Sequence, residues 1–467
     1  MQSCHAAAAV DAVFDDPNLV ADAGLVPVVA LAEQIGLPEL VAEHVKILDA
    51  ANSAGAGPVA KVMTLVAGMV AGADSIEDVD RLRHAGNGLI FEGVRAPSTL
   101  GTFLRAFTHG HVQQLNAVLR RTLVALNSRA DLLGGAGGAD TVVFVDIDST
   151  HRRVYGYAKQ GAAVGRLAGK KTLHPLIATA STPSSAPVVL AVRLRKGKAA
   201  DVRGAARFLA EALTTLRLLA PRARVVVRAD SQFYTADVAA TAARHGASVS
   251  LTTRSTARIR TAIAGIGEQA WTAIHYPNAF VDTDTGELVS DAEVAETDYV
   301  AFTGRAKKLH VTGRLIVRRV RRLNPTAAAG QDELFTVHRH HAVFVTSSVQ
   351  TLQAEADHRA HAIIEQVIAD AAGSALAHLP SGRFTANAAW TVLWAIAHNL
   401  TRAAGVLAGT AQARATTASL RTRLINVPAR LARSARRIRL HLPAGWPFDQ
   451  AWLNLHHAVH RRPHPAT

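Results

Sequence analysis

Carboxylates follow two apolar runs of the sequence, at positions where a buried strand would end. The run VVFVDIDST contains Asp146 and Asp148, and the run VVVRADSQF contains Asp230. Residues two apart on a strand point to the same face of a sheet, so Asp146 and Asp148 would lie side by side. Two carboxylates on one buried face are costly in desolvation and repulsion unless a cation lies between them. A lone aspartate such as Asp230 more often begins a turn or caps a helix. Asp230 indicates a shared site only in combination with the other acids.

A further acid, Glu365, lies in HRAHAIIEQV, which we predict to be helical. Offsets of three and seven residues place His358, His361 and Glu365 along one face of this helix. Acids from two strands and one helix suit hard divalent cations, which prefer oxygen ligands. Two such ions about 4 Å apart can activate a water or a 3′-hydroxyl for phosphodiester chemistry. The pattern therefore predicts a metal-dependent phosphodiester site.

The chain is strongly basic, which favours a polyanionic partner such as nucleic acid. Its 467 residues include 51 Lys and Arg against 36 Asp and Glu, a formal net charge of +15. Between Asp370 and Asp449 the sequence has no acid but ten arginines, and a second basic run, RLIVRRVRRL, begins at Arg314. Both runs are typical of surfaces that contact phosphate. A basic protein without such a partner is the less favoured interpretation.

Cysteine usage and hydropathy indicate a reducing cytoplasm. The single cysteine, Cys4, excludes an internal disulfide framework. No stretch reaches the ~18 uninterrupted apolar residues of a membrane-spanning helix. The N-terminus MQSCHAAAAVDAVFDD lacks the basic flank of a signal peptide. We therefore expect no membrane association, and the sequence also lacks a Walker A loop and a dinucleotide-binding fingerprint.

Changes of pattern along the chain divide it into predicted segments. Helical apolar spacing dominates up to the Gly-rich joint GGAGGAD, strands and helices alternate after it, and a β-rich stretch precedes a return to helices. We predict an α/β fold in which helices flank a mixed sheet. The segments are 1–135, a helical DNA-binding or dimerisation domain; 136–255, the first part of a catalytic core; 256–345, a β-rich insertion; 346–405, the second part of the core with the Glu365 helix; and 406–467, an arginine-rich helical C-terminal region.

Taken in order, these motifs resemble a known family. The run DIDST, then VYGYAKQGAAVGR and LHPLIA, then VVVRADSQF, and last a helix with Glu before FTANAAWTVLWAIAHNL are similar to the DDE-type transposases of bacterial insertion sequences. The branch they most resemble is the insertion-sequence family numbered thirteen-eighty, a relative of the group with a β insertion before the third acid. The resemblance covers roughly residues 25–460, and the order and spacing are more specific than any single motif.

The resemblance implies an RNase H-like core in which Asp148, Asp230 and Glu365 form an acidic triad that binds two Mg²⁺ ions, with Mn²⁺ as a substitute. Asp148 matches the family's first acid because it immediately precedes Ser-Thr, and Asp146 would be a neighbour that tunes the site. The implied reaction is cut-and-paste DNA transposition by hydrolysis and strand transfer. The implied partners are double-stranded DNA, with terminal inverted repeats and target DNA, and a second protomer in a synaptic complex in the bacterial cytoplasm, at the nucleoid.

The helix before Glu365 departs from the family pattern. Relatives place a Tyr and an Arg before the Glu and a Lys or Arg seven residues after it, where this chain has His358, His361 and Ala372. His361 can still donate to a phosphate, Ala372 cannot, and Arg359 is a candidate substitute from one position away. This departure concerns the contacts to DNA ends more than the metal site, and it keeps a decayed, inactive copy among the interpretations.

An aromatic residue of the predicted insertion is a further candidate for DNA contact. Trp271 is the one Trp between Asp230 and Glu365, and it resembles an insertion-domain aromatic that stacks on a flipped base, although a core Trp is the commoner case. The residues predicted to contact DNA are His358, Arg359, His361, Arg318, Arg319, Arg321, Arg322 and Trp271.

Three other interpretations remain open at this stage. A strand followed by Asp-x-Asp-x-Thr also resembles the first motif of haloacid-dehalogenase-type phosphatases, in which Asp146 would be the nucleophile and Asp148 the general acid. A non-catalytic DNA-binding protein derived from a transposase would keep the basic surfaces without the chemistry. A related nuclease would use the same two-metal site without strand transfer.

Overall fold

The computed structural model describes residues 11–48, 53–156, 158–165, 167, 169–281, 288–321, 338–434 and 437–460. In these ranges it is a mixed α/β structure with one large sheet. The helices are α1 Leu25–Gln34, α2 Leu37–His44, α3 Pro58–Ala71, α4 Pro97–Arg105, α5 His109–Ala130, α6 Ala205–Leu219, α7 Ala236–Arg244, α8 Ala257–Ala264, α9 Thr351–Arg359, α10 Ile363–Ala372, α11 Phe384–Leu407, α12 Thr410–Ala413, α13 Thr417–Leu420 and α14 Asp449–His460.

The strands divide among one large sheet and two small ones. They are β1 Leu19–Val20, β2 Val142–Ser149, β3 Arg152–Arg153, β4 Ala163–Val164, β5 Lys171–Leu173, β6 Leu176–Ser181, β7 Val188–Arg193, β8 Arg224–Ala229, β9 Ala247–Thr252, β10 Thr272–Val281, β11 Leu288–Ala301, β12 Val311–Arg321, β13 His338–Val345, β14 Ala429–Ser434 and β15 Arg437–His441. The large sheet has the order β10-β11-β12-β13-β9-β8-β2-β6-β7 among the described strands.

The large sheet is mixed, as the alternation of strands and helices predicts. Strand β2 pairs in parallel with β8, and β8 pairs in parallel with β9. Strands β6 and β7 add an antiparallel edge on the other side of β2. Strands β2 and β8 contain the apolar runs VVFV and VVV, as expected for parallel strands that are covered by helices on both faces.

The strands of the predicted β-rich insertion continue this same sheet. Strands β10 to β13 form an antiparallel meander, and β13 pairs with β9 through Val343, Phe344 and Val345. Backbone hydrogen bonds therefore connect the insertion to the strands that carry Asp146 and Asp230. The boundaries of the predicted segments stay predictions.

Helix α11 lies at the centre of the packing. Its residues from Ala386 to Gly405 are buried, and it packs against α1, α3, α4, α5, α14 and β7. Burial around the whole circumference is typical of a core helix, although α11 also buries polar residues such as Asn387 and Asn399. Trp390 is fully buried there and donates its indole N–H to the Ala375 carbonyl at 2.5 Å. One continuous core thus joins the N-terminal helices to the sheet.

The C-terminal region differs from the helical prediction. Helices α12, α13 and α14 are present, but strands β14 and β15 form an antiparallel hairpin between α13 and α14, and β14 also pairs with β1. The sequence RLARSARRIRLHL alternates polar and apolar residues over part of its length, a period-two pattern that buries Leu431. The many arginines in this segment made the period-two pattern difficult to detect in the sequence.

Within the described ranges no single helix is long and apolar enough to cross a membrane. One bent pair, Leu25–Gln34 with Leu37–His44, passes the same test by length and composition alone.

The buried side-chain amide of Asn399 on α11 hydrogen-bonds to the backbone of β7, the edge strand of the large sheet. The Val189 N–H donates to Asn399 Oδ1 at 2.8 Å, and Asn399 Nδ2 donates to the Val189 carbonyl at 2.9 Å.

We expect Asn399→Ala to lower the free energy of unfolding by about 2–4 kcal/mol, because it leaves two buried backbone groups unpaired. Urea unfolding followed by circular dichroism measures this. Gln366→Ala, an exposed amide side chain of α10, is the control and should change stability by less than about 0.5 kcal/mol; an equal loss in both variants would contradict the assignment.

Candidate active site

The register between β2 and β8 brings the predicted acids together. Asp146 lies opposite Arg228, and Ile147 lies opposite Ala229. Asp148 follows Ile147 on β2 and Asp230 follows Ala229 at the end of β8, so the two acids lie side by side at the same edge. Because side chains repeat every two residues, both carboxylates share the sheet face of Asp146 and Arg228.

Asp146 and Arg228 form a buried bidentate ion pair. Arg228 Nε donates to Asp146 Oδ1 and Arg228 Nη2 donates to Asp146 Oδ2, both at 2.7 Å. The guanidinium lies over the Phe144 ring, 4.0 Å from its centroid. Burial by itself raises the pKa of Asp146, but His361 and Arg228 together hold it below its usual value. Asp146 is therefore a structural carboxylate with both oxygens already in use.

This geometry limits what Asp146 can do. A metal ligand needs a free oxygen, and a nucleophile needs access to its substrate. Asp146 has neither, since it is fully buried between Arg228 and His361. The phosphatase interpretation, which requires Asp146 as nucleophile, does not fit these contacts.

The segment α9–α10 is fastened to the same face of the sheet. Arg228 Nη1 donates to the Asp357 carbonyl at 2.6 Å, and His361 Nδ1 lies 2.8 Å from Asp146 Oδ1. His358 is held by Ser250 and Thr252 of β9, at 2.9 Å from each hydroxyl. These contacts bring Glu365, in the first turn of α10, to the edge where Asp148 and Asp230 emerge.

The three predicted acids interact through their charges. Burial and the negative charges of Asp230 and Glu365 raise the pKa of Asp148 to about 6, against the opposing effects of the Ser149 N–H and His361. Burial also raises the pKa of Asp230, whose Oδ1 accepts from the Gln232 N–H at 2.9 Å. Asp230 thus makes the ordinary turn contact that its sequence context predicts and belongs to the cluster as well.

The donor chemistry of the cluster suits hard divalent cations. Asp148, Asp230 and Glu365 offer oxygen ligands only, and their mutual repulsion is the kind that a bound cation relieves. As the side chains stand, the described residues contain no group of three His, Cys, Asp or Glu that could hold a metal ion. A metal at this edge would therefore require side-chain rearrangement.

A groove of about 1340 Å³ runs from Asp230 and Glu365 along the β-rich insertion. Asp230, Glu365 and His361 lie at one part of it, and basic side chains line much of the remainder. The arginines along it are Arg254, Arg260, Arg318, Arg319, Arg339 and Arg359. An acidic centre inside a basic groove fits a polyanionic substrate that reacts at one point.

The residues predicted to contact DNA divide into several groups. His361, Arg359 and Arg318 line the groove, although Arg318 and Arg359 both lie near Glu355, at 3.8 and 3.4 Å. Arg322 and the side chain of Arg321 lie outside the described residues.

Arg319 and Trp271 line the groove but are engaged with each other. Arg319 makes ion pairs with Glu268 and Glu293 at 2.8 and 2.7 Å, and its guanidinium lies 4.2 Å from the Trp271 ring centroid. Trp271 is half-buried against the core. Stacking on a flipped base would require this cluster to open.

For His358 the structure changes the prediction. Both of its ring nitrogens face hydroxyls of β9. Burial, with the nearby charges of His361 and Arg228, lowers the pKa of His358 to about 3, so the ring is neutral at pH 7. It fixes α9 to the sheet and is not a cation available to phosphate.

One acid beside the site was missed at the sequence level. Asp201, in the loop after β7, is buried, and its Oδ1 accepts from Ser149 Oγ at 2.7 Å. His174 Nε2 lies 3.1 Å from the same oxygen. The charge of Asp201 contributes to the raised pKa of Asp230. The loop has no periodicity, so only Ser149, directly after Asp148, offered a signal.

Comparison with known proteins gives a family match over almost the whole chain. The family model described as transposase DDE domain group 1 matches residues 2–464. No curated protein matches the sequence. Among solved structures, the chain is similar to a piggyBac transposase in a synaptic complex with hairpin DNA, at 10% identity and a TM-score of 0.40, over 87% of this chain and 79% of that one.

The buried ion pair should be strongly coupled. We expect Arg228→Met to lower the free energy of unfolding by about 3–5 kcal/mol, because it leaves the Asp146 carboxylate buried without its cation. Asp146→Leu combined with Arg228→Met should cost clearly less than the single change, since no buried charge remains. Urea unfolding of the wild type, both single variants and the double variant measures the coupling. Arg224→Met, exposed at the start of β8, is the matched control; strictly additive effects would contradict the coupling.

Asp148 should make stability depend on pH and on metal. Its folded pKa of about 6 exceeds the ordinary value of 3.8, so its contribution is present below pH 3.8 and is lost as pH rises through about 6. At pH 7.5 without divalent metal, Asp148→Asn should therefore be more stable than the wild type by roughly 2 kcal/mol. Adding Mg²⁺ should raise the melting temperature of the wild type but not that of Asp148→Asn. Asp140→Asn, exposed before β2, should behave like the wild type, and an Mg²⁺ response retained by Asp148→Asn would count against the metal site.

Proposed function

The chain belongs to the transposase DDE domain group 1 family, and on that premise we propose that it moves a bacterial insertion sequence by cut-and-paste DNA cleavage and strand transfer. The observation that carries the proposal is the convergence of Asp148, Asp230 and Glu365 at the sheet edge. Two of these acids emerge side by side from paired parallel strands, and the third lies on a helix fastened to the same face.

The proposed core is RNase H-like. In support of this, the order β9-β8-β2-β6-β7 places the first strand of the core in the middle, with two parallel neighbours on one side and an antiparallel pair on the other. The acids lie at the end of the central strand and at the end of its parallel neighbour. Strands β10 to β13 lie between Asp230 and Glu365 in sequence, as expected for an insertion before the third acid.

The proposed roles of the acids differ between Asp146 and the other three. Asp148, Asp230 and Glu365 would hold two Mg²⁺ ions, for which Mn²⁺ could substitute. When bound, these ions would supply an activated water or 3′-hydroxyl and a stabilised leaving oxygen. Asp146 binds no metal in this proposal and positions His361 and Arg228 instead.

His361 is the proposed phosphate contact nearest the acids. Because the Asp146 carboxylate can only accept, Nδ1 of His361 must carry the hydrogen in that contact. Nε2 would donate to a phosphate oxygen in the groove when both ring nitrogens carry a hydrogen. Farther from the acids, the arginines of the groove would hold the DNA backbone, with Arg359 closest along the chain to the position of the family's missing Arg.

In the proposed reaction, water first cleaves one strand at an element end and leaves a 3′-hydroxyl. That hydroxyl then attacks a phosphodiester, and the bond to the leaving oxygen breaks as the new one forms. The proposed partners are double-stranded DNA with terminal inverted repeats, target DNA and a second protomer that pairs the two ends. The proposed setting is the bacterial cytoplasm.

A non-catalytic DNA-binding protein is the second candidate. The observation in its favour is His358, which occupies the position of the family's Tyr but is used to fix α9 on β9. Such a protein would bind the same DNA and cleave none of it.

Asp230→Asn should abolish cleavage and leave DNA binding nearly unchanged, because it removes one negative charge from the acidic cluster and no basic side chain from the groove. The test incubates labelled duplex DNA flanking the gene with each protein, with and without Mg²⁺, on a denaturing gel. Discrete cuts are expected only with wild type and metal, and DNA affinity should fall steeply with salt. Asp237→Asn, an exposed carboxylate of α7, is the matched control and should cleave normally. Binding by every protein without any cut would favour the non-catalytic candidate.

A further inference from the structure

The hairpin of β14 and β15 forms a two-stranded ribbon anchored at its base. Its register pairs Leu431 with Leu440 and continues to Ser434 and Arg437. At the base, β14 pairs with β1, and Leu431 is buried. Toward the tip, the described side chains from Arg433 to Arg439 are exposed. The ribbon is therefore held firmly at one end and open to a partner at the other.

One face of this ribbon combines long basic side chains with short ones. Alternation along each strand places the pairs Arg430–His441, Ala432–Arg439 and Ser434–Arg437 on the same face. Arg430 is ion-paired with Asp16 at 2.9 Å. Arg437 and Arg439 lie opposite the short side chains of Ser434 and Ala432. Arg437 and Arg439 thus form a row of basic side chains that the short side chains opposite them on β14 do not cover.

The charge of this row is not neutralised within the described part of the chain. No ion pair joins Arg433, Arg437 or Arg439 to a described carboxylate, and the sequence has no acid from 371 to 448. None of the ribbon residues lines the groove that contains the acids. The ribbon is thus a second, separate basic surface.

The dimensions of the ribbon fit duplex DNA. Residues two apart on a strand are separated by about 6.8 Å, close to two base-pair steps of about 3.4 Å each. The major groove, about 12 Å wide, admits a two-stranded ribbon, and arginine binds the guanine O6 and N7 edge there. Arg437 and Arg439 therefore have the spacing to follow the floor of that groove.

We propose that the ribbon of β14 and β15 docks in the major groove of duplex DNA near the element end, with Arg437 and Arg439 toward the bases. The proposal rests on the proposed function, because it takes DNA as the substrate. It adds a recognition surface apart from the cleavage centre, so that the chain contacts its DNA at two places.

The test compares Arg437→Gln combined with Arg439→Gln against a matched control, Arg207→Gln combined with Arg222→Gln. The control removes the same charge from exposed positions on α6 and in the turn after it. The full-length chain binds duplex DNA flanking the gene, or an unrelated duplex of equal length, in EDTA so that no cleavage occurs. Dimethyl sulfate then reports which guanine N7 atoms in the major groove are protected. Thermal melting checks that both variants fold.

The ribbon variant should bind the flanking duplex at least about tenfold more weakly than wild type and lose protection at discrete guanines, while the control keeps both. A third variant, Arg437→Lys with Arg439→Lys, should bind but lose the guanine protection, since lysine lacks the bidentate fork. Wild-type affinity and protection in the glutamine variant would overturn the proposal.

A second copy of the chain is the competing occupant. If the glutamine variant dissociates a DNA-free dimer and leaves DNA binding unchanged, the ribbon belongs to a contact between copies and the proposal fails. Absence of DNA binding by the unaltered chain would instead contradict the proposed function, which the cleavage gel tests independently.

Discussion

The ion pair between Asp146 and Arg228 is the contact on which the geometry of the site depends. Neither charge could remain alone in the middle of the sheet, because an uncompensated buried charge is strongly destabilising. The pair therefore specifies the register of β2 against β8, and the same register sets Asp148 beside Asp230. Through the Asp357 carbonyl and His361 it also fixes the helical segment that carries Glu365.

The same strand thus carries two aspartates whose pKa values are shifted in opposite directions. Asp146 has cations around it, and its pKa is lowered in spite of complete burial. Asp148, two residues later, has carboxylates around it, and its pKa is raised to about 6. One acid is committed to the fold, and the other keeps the charge repulsion that a metal ion or a proton can relieve. This separation of roles is typical of sites where environment, not residue type, decides function.

The sequence predicted those parts of the site that follow from local pattern. Strand exits marked Asp148 and Asp230, and which acids act in catalysis stays a prediction. The predicted helix through His358, His361 and Glu365 is interrupted by a 3-10 turn at Ala360–Ala362, which separates α9 from α10. The spacing could not show that His358 would meet two hydroxyls of β9, because the packing partner of a helix face is a long-range property. Arg228 gave no sign of being buried for the same reason. Asp201 lies in a loop without periodicity, and the β14–β15 ribbon was hidden by its arginines.

The burial of α11 has a consequence for synthesis on the ribosome. Helices α1, α3, α4 and α5 and strand β7 all pack against a helix that is translated only after residue 383. Their apolar faces therefore stay exposed until α11 has left the ribosomal exit tunnel. A nascent chain released early therefore lacks its core and is exposed to chaperones and proteases. A chain truncated before α11 would therefore expose these apolar faces and would not form a folded N-terminal fragment.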